Sequence, residues 1–122
     1  MKAKVNEVEI NGTTYVPKSE QKESAQDLDG MTYMLVRTKD AGVFVGYGYD
    51  SGLNLILYKA RRIWYWSGAA SLSQLAIDGT NDPENCKFPE VVDKVTLFGV
   101  IEILYPTEKA KKSIDEVKIW KA

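Results

Sequence analysis

The run TYMLVRTKDAGVFVGYGYDSGLNLILYKARRIWYW, residues 32–66, is dominated by Val, Ile, Leu, Tyr, Phe and Trp, and it breaks where turn residues gather at Lys39-Asp40 and Asp50-Ser51-Gly52. β-Branched and aromatic side chains fit a pleated, half-buried surface, so the run predicts four strands, at Thr32–Thr38, Gly42–Tyr49, Leu53–Tyr58 and Ala60–Trp66. A parallel crossover needs a dozen or more residues, which these short breaks do not supply, so neighbours are expected to be antiparallel. Gly46 and Gly48, inside a strand pattern, mark a bulge or the close approach of another backbone or a ligand.

Outward from this run the period changes. Ser71-Leu72-Ser73-Gln74 has the form of a capping box, Leu72, Leu75 and Ala76 share one helical face, and Gly79 stands where a helix ends, which places a short helix near 71–78. Residues 80–89, TNDPENCKFP, form a polar loop with two prolines. Val91–Tyr105 returns to strand character with Gly99 as a turn or bulge, Thr107 caps a second helix near 107–114, and Val117–Trp120 closes the chain as a strand. Toward the N-terminus, Asn11-Gly12 links Val8–Ile10 to Thr13–Val16. A type I′ hairpin there sets Ile10 opposite Thr13 and Val8 opposite Tyr15. The polar segment 18–30 reads as a linker between this hairpin (1–17) and the core (31–122) of a single 122-residue domain. With so much slack the hairpin fits its own core or a neighbouring subunit equally well. The expected class is α+β, an antiparallel sheet with two short helices.

Sixteen Lys and Arg against 17 Asp and Glu leave a net charge of -1, so no whole-molecule field holds DNA, long RNA or an anionic membrane, and anion binding must be local. The chain has no histidine, which removes the commonest general base and metal ligand and every Ser-His or Cys-His pair. Cys86 is the single cysteine, so a thiolate metal cluster and an intramolecular disulfide are excluded, and the lone thiol fits a reducing compartment. No catalytic, metal-binding or cofactor residues are assigned. Apolar runs fall short of the roughly 18 residues a membrane helix needs, and the N-terminus lacks a secretion pattern, so a cytoplasmic location is expected.

The sharpest local signal is Arg61-Arg62-Ile63-Trp64-Tyr65-Trp66, which holds two of the three arginines and two of the three tryptophans. On a strand, Arg62, Trp64 and Trp66 share one face and Arg61, Ile63 and Tyr65 the other. A guanidinium matches phosphate oxygens and an indole stacks a base, so a nucleotide pocket is one reading; a core face backed by a cation-π pair is the other. Ser67, Gly68 and Ser71 lead into a helix N-terminus that would offer backbone donors to an anion, or simply make a strand-to-helix turn. Phe88 would add a second stacking surface or anchor a strand, and Arg37 would meet phosphate or pair with an acid.

Two motifs, Leu35-Val36-Arg37-Thr38 with Ala41–Tyr47 and Ala60–Ala76, carry a resemblance. The segment 32–120 resembles a family of small proteins encoded by bacteriophages and prophages, the first type of Thoeris anti-defence protein. The resemblance implies a β-rich homo-oligomer that sequesters an immune signal, a cyclic ADP-ribose isomer or a cyclic oligonucleotide, and releases it intact, with cyclic trinucleotides taken at a separate site. It implies no enzymatic activity, a cyclic nucleotide as partner, and ligand contacts from Arg61, Arg62, Trp64, Trp66 and Phe88. The alternative expectation is a protein-interaction module or inhibitor whose Trp, Tyr and Arg face is the interface.

Overall fold

The computed structural model describes residue 25, residues 28–49 and residues 54–122, together with the strand backbone at residues 2–4, 7–10 and 13–15. At the N-terminus β1 (Lys2–Lys4), β2 (Glu7–Ile10) and β3 (Thr13–Tyr15) form a three-stranded antiparallel sheet. Its β2-β3 register places Val8 opposite Tyr15 and Ile10 opposite Thr13, as the Asn11-Gly12 spacing requires; the turn itself, and most of the expected linker, lie outside the described residues. β1 was not expected.

The second sheet contains β4 (Thr32–Thr38), β5 (Val43–Gly48), β6 (Leu55–Arg62), β7 (Val91–Leu97) and β8 (Val100–Leu104). All neighbours are antiparallel, in the order β7-β6-β5-β4-β8. Helix α1 (Leu72–Asp78) lies between β6 and β7 in the chain, and α2 (Glu108–Asp115) follows β8. The protein is thus α+β with sheet dominant. Among the described residues no helix is long and apolar enough to cross a membrane.

Three departures from the sequence reading have physical causes. Leu53–Tyr58 and Ala60–Trp66 are not two strands: β6 runs straight through Lys59, which takes φ 51° and absorbs one extra residue as a bulge. The register shows it, because Val45 faces Arg61 while Tyr47, two residues on, faces Tyr58, three residues back. Gly46 sits against this bulge, where an added Cβ would lie 3.1 Å from both the Tyr58 carbonyl oxygen and the Ala60 Cα, so the expected close backbone approach is real. The strand also ends at Arg62, so the face alternation expected through Trp66 stops after Ile63: Ile63 is buried, Tyr65 is exposed, and Trp66 packs against the same core as Ile63. Finally, Val117–Trp120 makes only an isolated parallel bridge from Ile119 to Phe88.

β7 and β8 meet at Phe98-Gly99, with Gly99 at φ 72°, yet they occupy opposite edges. Four inter-strand spacings would put them about 19 Å apart in a flat sheet. Leu97 and Val100 are three peptide units apart, a reach of about 11 Å at most. The sheet therefore curls until its edges approach at this corner, where the Lys39 N–H donates to the Gly99 carbonyl at 2.9 Å. Met34, Val36, Phe44, Leu55, Leu57, Leu97 and Val100 fill the inside of the curl. The other face, with Tyr33, Leu35 and Val45, packs on Leu75 and Ala76 of α1, Ile114 of α2, and Phe88. The helices end and begin as their caps dictate: Ser71 Oγ accepts from Gln74 N–H, Gln74 Oε1 accepts from Ala70 N–H, and Thr107 Oγ1 accepts from Ala110 N–H.

Candidate functional site

The arginine-tryptophan segment does not converge on one pocket. Arg61 is 5% exposed, and its guanidinium donates to four main-chain carbonyls: Pro89 at 2.8 Å, Phe88 at 3.1 Å, Ile114 at 3.0 Å and Val117 at 2.8 Å. The last two lie in the final turn of α2 and just past its end, where helix-terminal carbonyls and the negative end of the helix dipole favour a cation. Burial lowers the Arg61 pKa and the Asp115 carboxylate opposes that shift. With four of its donors committed, Arg61 is a structural clasp and not an open fork for phosphate. Phe88 is fully buried beneath it, so it offers no stacking surface.

The other expected contacts scatter. Arg62 faces Phe44 across the sheet, with its guanidinium carbon 4.3 Å from the ring centroid and Nη1 donating to the Ala41 carbonyl at 2.7 Å. Arg37 pairs with Glu102, its cross-strand neighbour, at 2.9 Å. Trp66 Nε1 donates to the Ala69 carbonyl. Ser67 Oγ donates to Asp82 Oδ2 at 2.8 Å, and Thr80 Oγ1 donates to the Ser67 carbonyl. Gly68 takes φ 85°, and an added Cβ there would lie 2.5 Å from both Asp82 N and Thr80 Oγ1. Hydrogen bonds from Asn85 and Ser67 hold the Asp82 carboxyl below the usual range. Ser71 is committed to its helix cap, so the small-residue loop is satisfied internally. Trp64 alone stands out, 63% exposed and nearly parallel to Trp120, with centroids 6.4 Å apart.

A cleft is built instead between the sheet and α2. The register sets Tyr33 opposite Tyr47, Val45 opposite Arg61, and Arg61 opposite Val91, so a row of side chains from four strands lies on one face. The Lys59 bulge makes this possible. Leu57 points into the curl, and without the extra residue Lys59 and Arg61 would follow it there; with it, both line the cleft. Lys111 and Asp115 of α2 and Leu28 complete walls around a volume of about 310 Å³. Leu28 is held by a turn that the linker reading missed: Leu28 and Met31 exchange both main-chain hydrogen bonds around Asp29 and Gly30, each at positive φ. The Asp29-Gly30 dipeptide was its signal.

Within the cleft the Tyr33 and Tyr47 rings meet edge to face at 5.2 Å. Lys111 Nζ lies 5.3 Å from one ring centroid and 5.8 Å from the other, and 2.6 Å from Asp115 Oδ2. Burial lowers the Lys111 pKa, but Asp115 and the Tyr47 hydroxyl outweigh it, so the ammonium titrates above its usual range. The Tyr33 hydroxyl is buried with no hydrogen-bond partner among the described residues. Burial, then the Asp115 charge, then Tyr47 push its pKa well above the ordinary tyrosine value. Desolvating such a group costs about 1–3 kcal/mol when nothing answers it. Three cations, Lys59, Arg61 and Lys111, against one carboxylate, Asp115, leave the cleft with an excess of two positive charges.

Residues 31–114 match the family model of DUF6948, a domain of unknown function. The chain belongs to the DUF6948 family. The DUF6948 span holds the whole five-stranded sheet, α1 and all of α2 but Asp115, and it includes seven of the nine residues lining the cleft. Trp120, the partner of Trp64, falls outside it. No curated protein and no solved structure matches the chain.

Proposed function

We propose that this protein captures a small phosphorylated ligand in the Tyr33-Tyr47 cleft and releases it unchanged. The class of ligand is the cyclic nucleotide signal, a cyclic ADP-ribose isomer or a cyclic oligonucleotide, that the resemblance to the first type of Thoeris anti-defence protein implies. The observation that carries the reading is the unanswered, buried Tyr33 hydroxyl beside the exposed Lys59 ammonium in one apolar-walled cleft whose other cations, Arg61 and Lys111, are held by main-chain carbonyls and by Asp115. Oxyanions satisfy both at once. Turnover is not part of the reading: Tyr33 stays neutral at physiological pH, and Asp115 is engaged by Lys111. A cleft of about 310 Å³ lies at the small end of ligand sites, so a ligand with two phosphates and an adenine needs a further wall, which a second subunit would supply.

A second reading rests on a different observation. Trp64, Tyr65 and Trp120 are exposed together, with Lys87 Nζ 5.9 Å from the Tyr65 ring and 5.6 Å from the Trp120 ring, and such residues dominate protein interfaces. The discriminating experiment is a thermal shift with cyclic ADP-ribose isomers and cyclic di- and trinucleotides, followed by heat release and chromatography of the ligand. Capture predicts a rise of about 10 °C at a hundredfold excess over Kd and recovery of the intact ligand. No shift with any member favours the interface reading, in which Trp64→Ala weakens partner binding and leaves the cleft unaffected.

A further inference from the structure

We infer that the cleft grips the phosphorylated sugar end of its ligand and leaves any base outside; this rests on the capture reading above. Size is the first ground. A volume of about 310 Å³ lies at the small end of ligand sites and suits a sugar phosphate.

The lining is the second ground. A base is held by an open aromatic face, and neither tyrosine presents one. Tyr33 is 4% exposed, the two rings meet edge to face, and the Lys111 ammonium lies over both. What the cleft presents is a set of polar groups suited to phosphate and hydroxyl oxygens. Lys59 is exposed and has no ion-pair partner among the described residues. The Tyr33 hydroxyl can donate to a phosphate oxygen or accept from a sugar hydroxyl. Asp115 Oδ1 makes no hydrogen bond among the described residues, its companion Oδ2 being the one that takes Lys111.

The backbone supplies a third ground. Lys59 holds φ 51°, a left-handed conformation that costs a lysine energy, and the bulge it creates is what turns its side chain to the cleft. Strain of this kind persists where surrounding structure enforces it, and here it adds an exposed cation to the cleft that Tyr33 lines.

The test is isothermal titration calorimetry of the full chain with ribose 5-phosphate, adenosine 5′-monophosphate and adenosine. Ribose 5-phosphate and the monophosphate are expected to bind within about threefold of each other and adenosine about a hundredfold more weakly or not at all. Tyr33→Phe and Lys59→Met are each expected to weaken ribose 5-phosphate about tenfold or more. Lys59 is exposed, so its variant leaves the core untouched and reports on affinity alone. Adenosine binding as well as its monophosphate, with ribose 5-phosphate silent, would overturn the inference and leave capture standing. Ribose 5-phosphate binding untouched by Lys59→Met would overturn the placement in this cleft. Silence from all three compounds, with a positive response to a cyclic signal molecule, would overturn the inference alone, and silence from every phosphorylated compound would overturn both.

Discussion

Replacing Tyr33 with Phe removes one oxygen from the cleft floor and nothing else. The Tyr33 ring keeps its edge-to-face contact with Tyr47 and its place beneath Lys111, while the hydroxyl that leaves is buried and has no partner among the described residues. In most proteins deleting a buried hydroxyl destabilises, because a hydrogen bond is lost. Here the oxygen contributes only its desolvation cost, about 1–3 kcal/mol, so the variant is expected to be more stable than the parent. An unfolding entropy of about 2.1 cal/mol/K per residue, over 122 residues, makes 1 kcal/mol worth about 4 °C. Tyr33→Phe should therefore raise the Tm of the ligand-free protein by about 4–12 °C in differential scanning calorimetry. The same variant should lose much of the stabilisation that a phosphorylated ligand confers, since the hydroxyl finds its partner only in the complex. Stability and affinity thus move in opposite directions at one atom. A Tm that falls or stays within a degree of the parent would show that the hydroxyl is already satisfied, and the case for the cleft would lose its main support.

Other outcomes follow from the same contacts. Arg61→Met removes a donor from four carbonyls, and those of Pro89 and Val117 keep no other among the described residues, so it should lower stability by about 2–5 kcal/mol, seen as a lower urea midpoint. Gly68→Ala forces a Cβ to within 2.5 Å of Asp82 N at φ 85° and should cost about 1–3 kcal/mol in the same assay. Asp82 has a folded-state pKa below its unfolded value, so its stabilisation is present above about pH 4 and is lost as pH falls through the folded value. Thermal melts between pH 2 and 7 should show that loss in the parent and a shallower acid slope in Asp82→Asn.

Much of the fold was legible because its signals are local. The Asn11-Gly12 spacing specified a register, strand periodicity marked β4 and β5, Ser71 and Thr107 marked helix starts that side-chain hydrogen bonds now explain, and Gly79 marked a helix end that its own N–H closes onto the Leu75 carbonyl. What escaped was non-local. A two-residue link suggests neighbouring strands, and only the curl of the whole sheet lets Phe98-Gly99 join opposite edges. Alternation correctly separated Arg61 from Arg62, but which of the two faced the interior depends on α2 and the Phe88 segment, which lie far away in sequence. The exposed-looking guanidinium turned out to be a clasp. Tyr33, Tyr47 and Lys111 carry no motif at all. Their meeting depends on the β4-β5 register and on helix docking, and the Lys59 bulge that completes the cleft has no turn residue to announce it.

The most direct test is a crystal structure of the protein soaked with ribose 5-phosphate or with the cyclic nucleotide that shifts its melting most. The account predicts ligand density in the cleft between the sheet and α2, with a ligand oxygen within hydrogen-bond distance of the Tyr33 hydroxyl and a phosphate beside Lys59. Density on the Trp64-Trp120 surface, with the cleft unchanged, would contradict it.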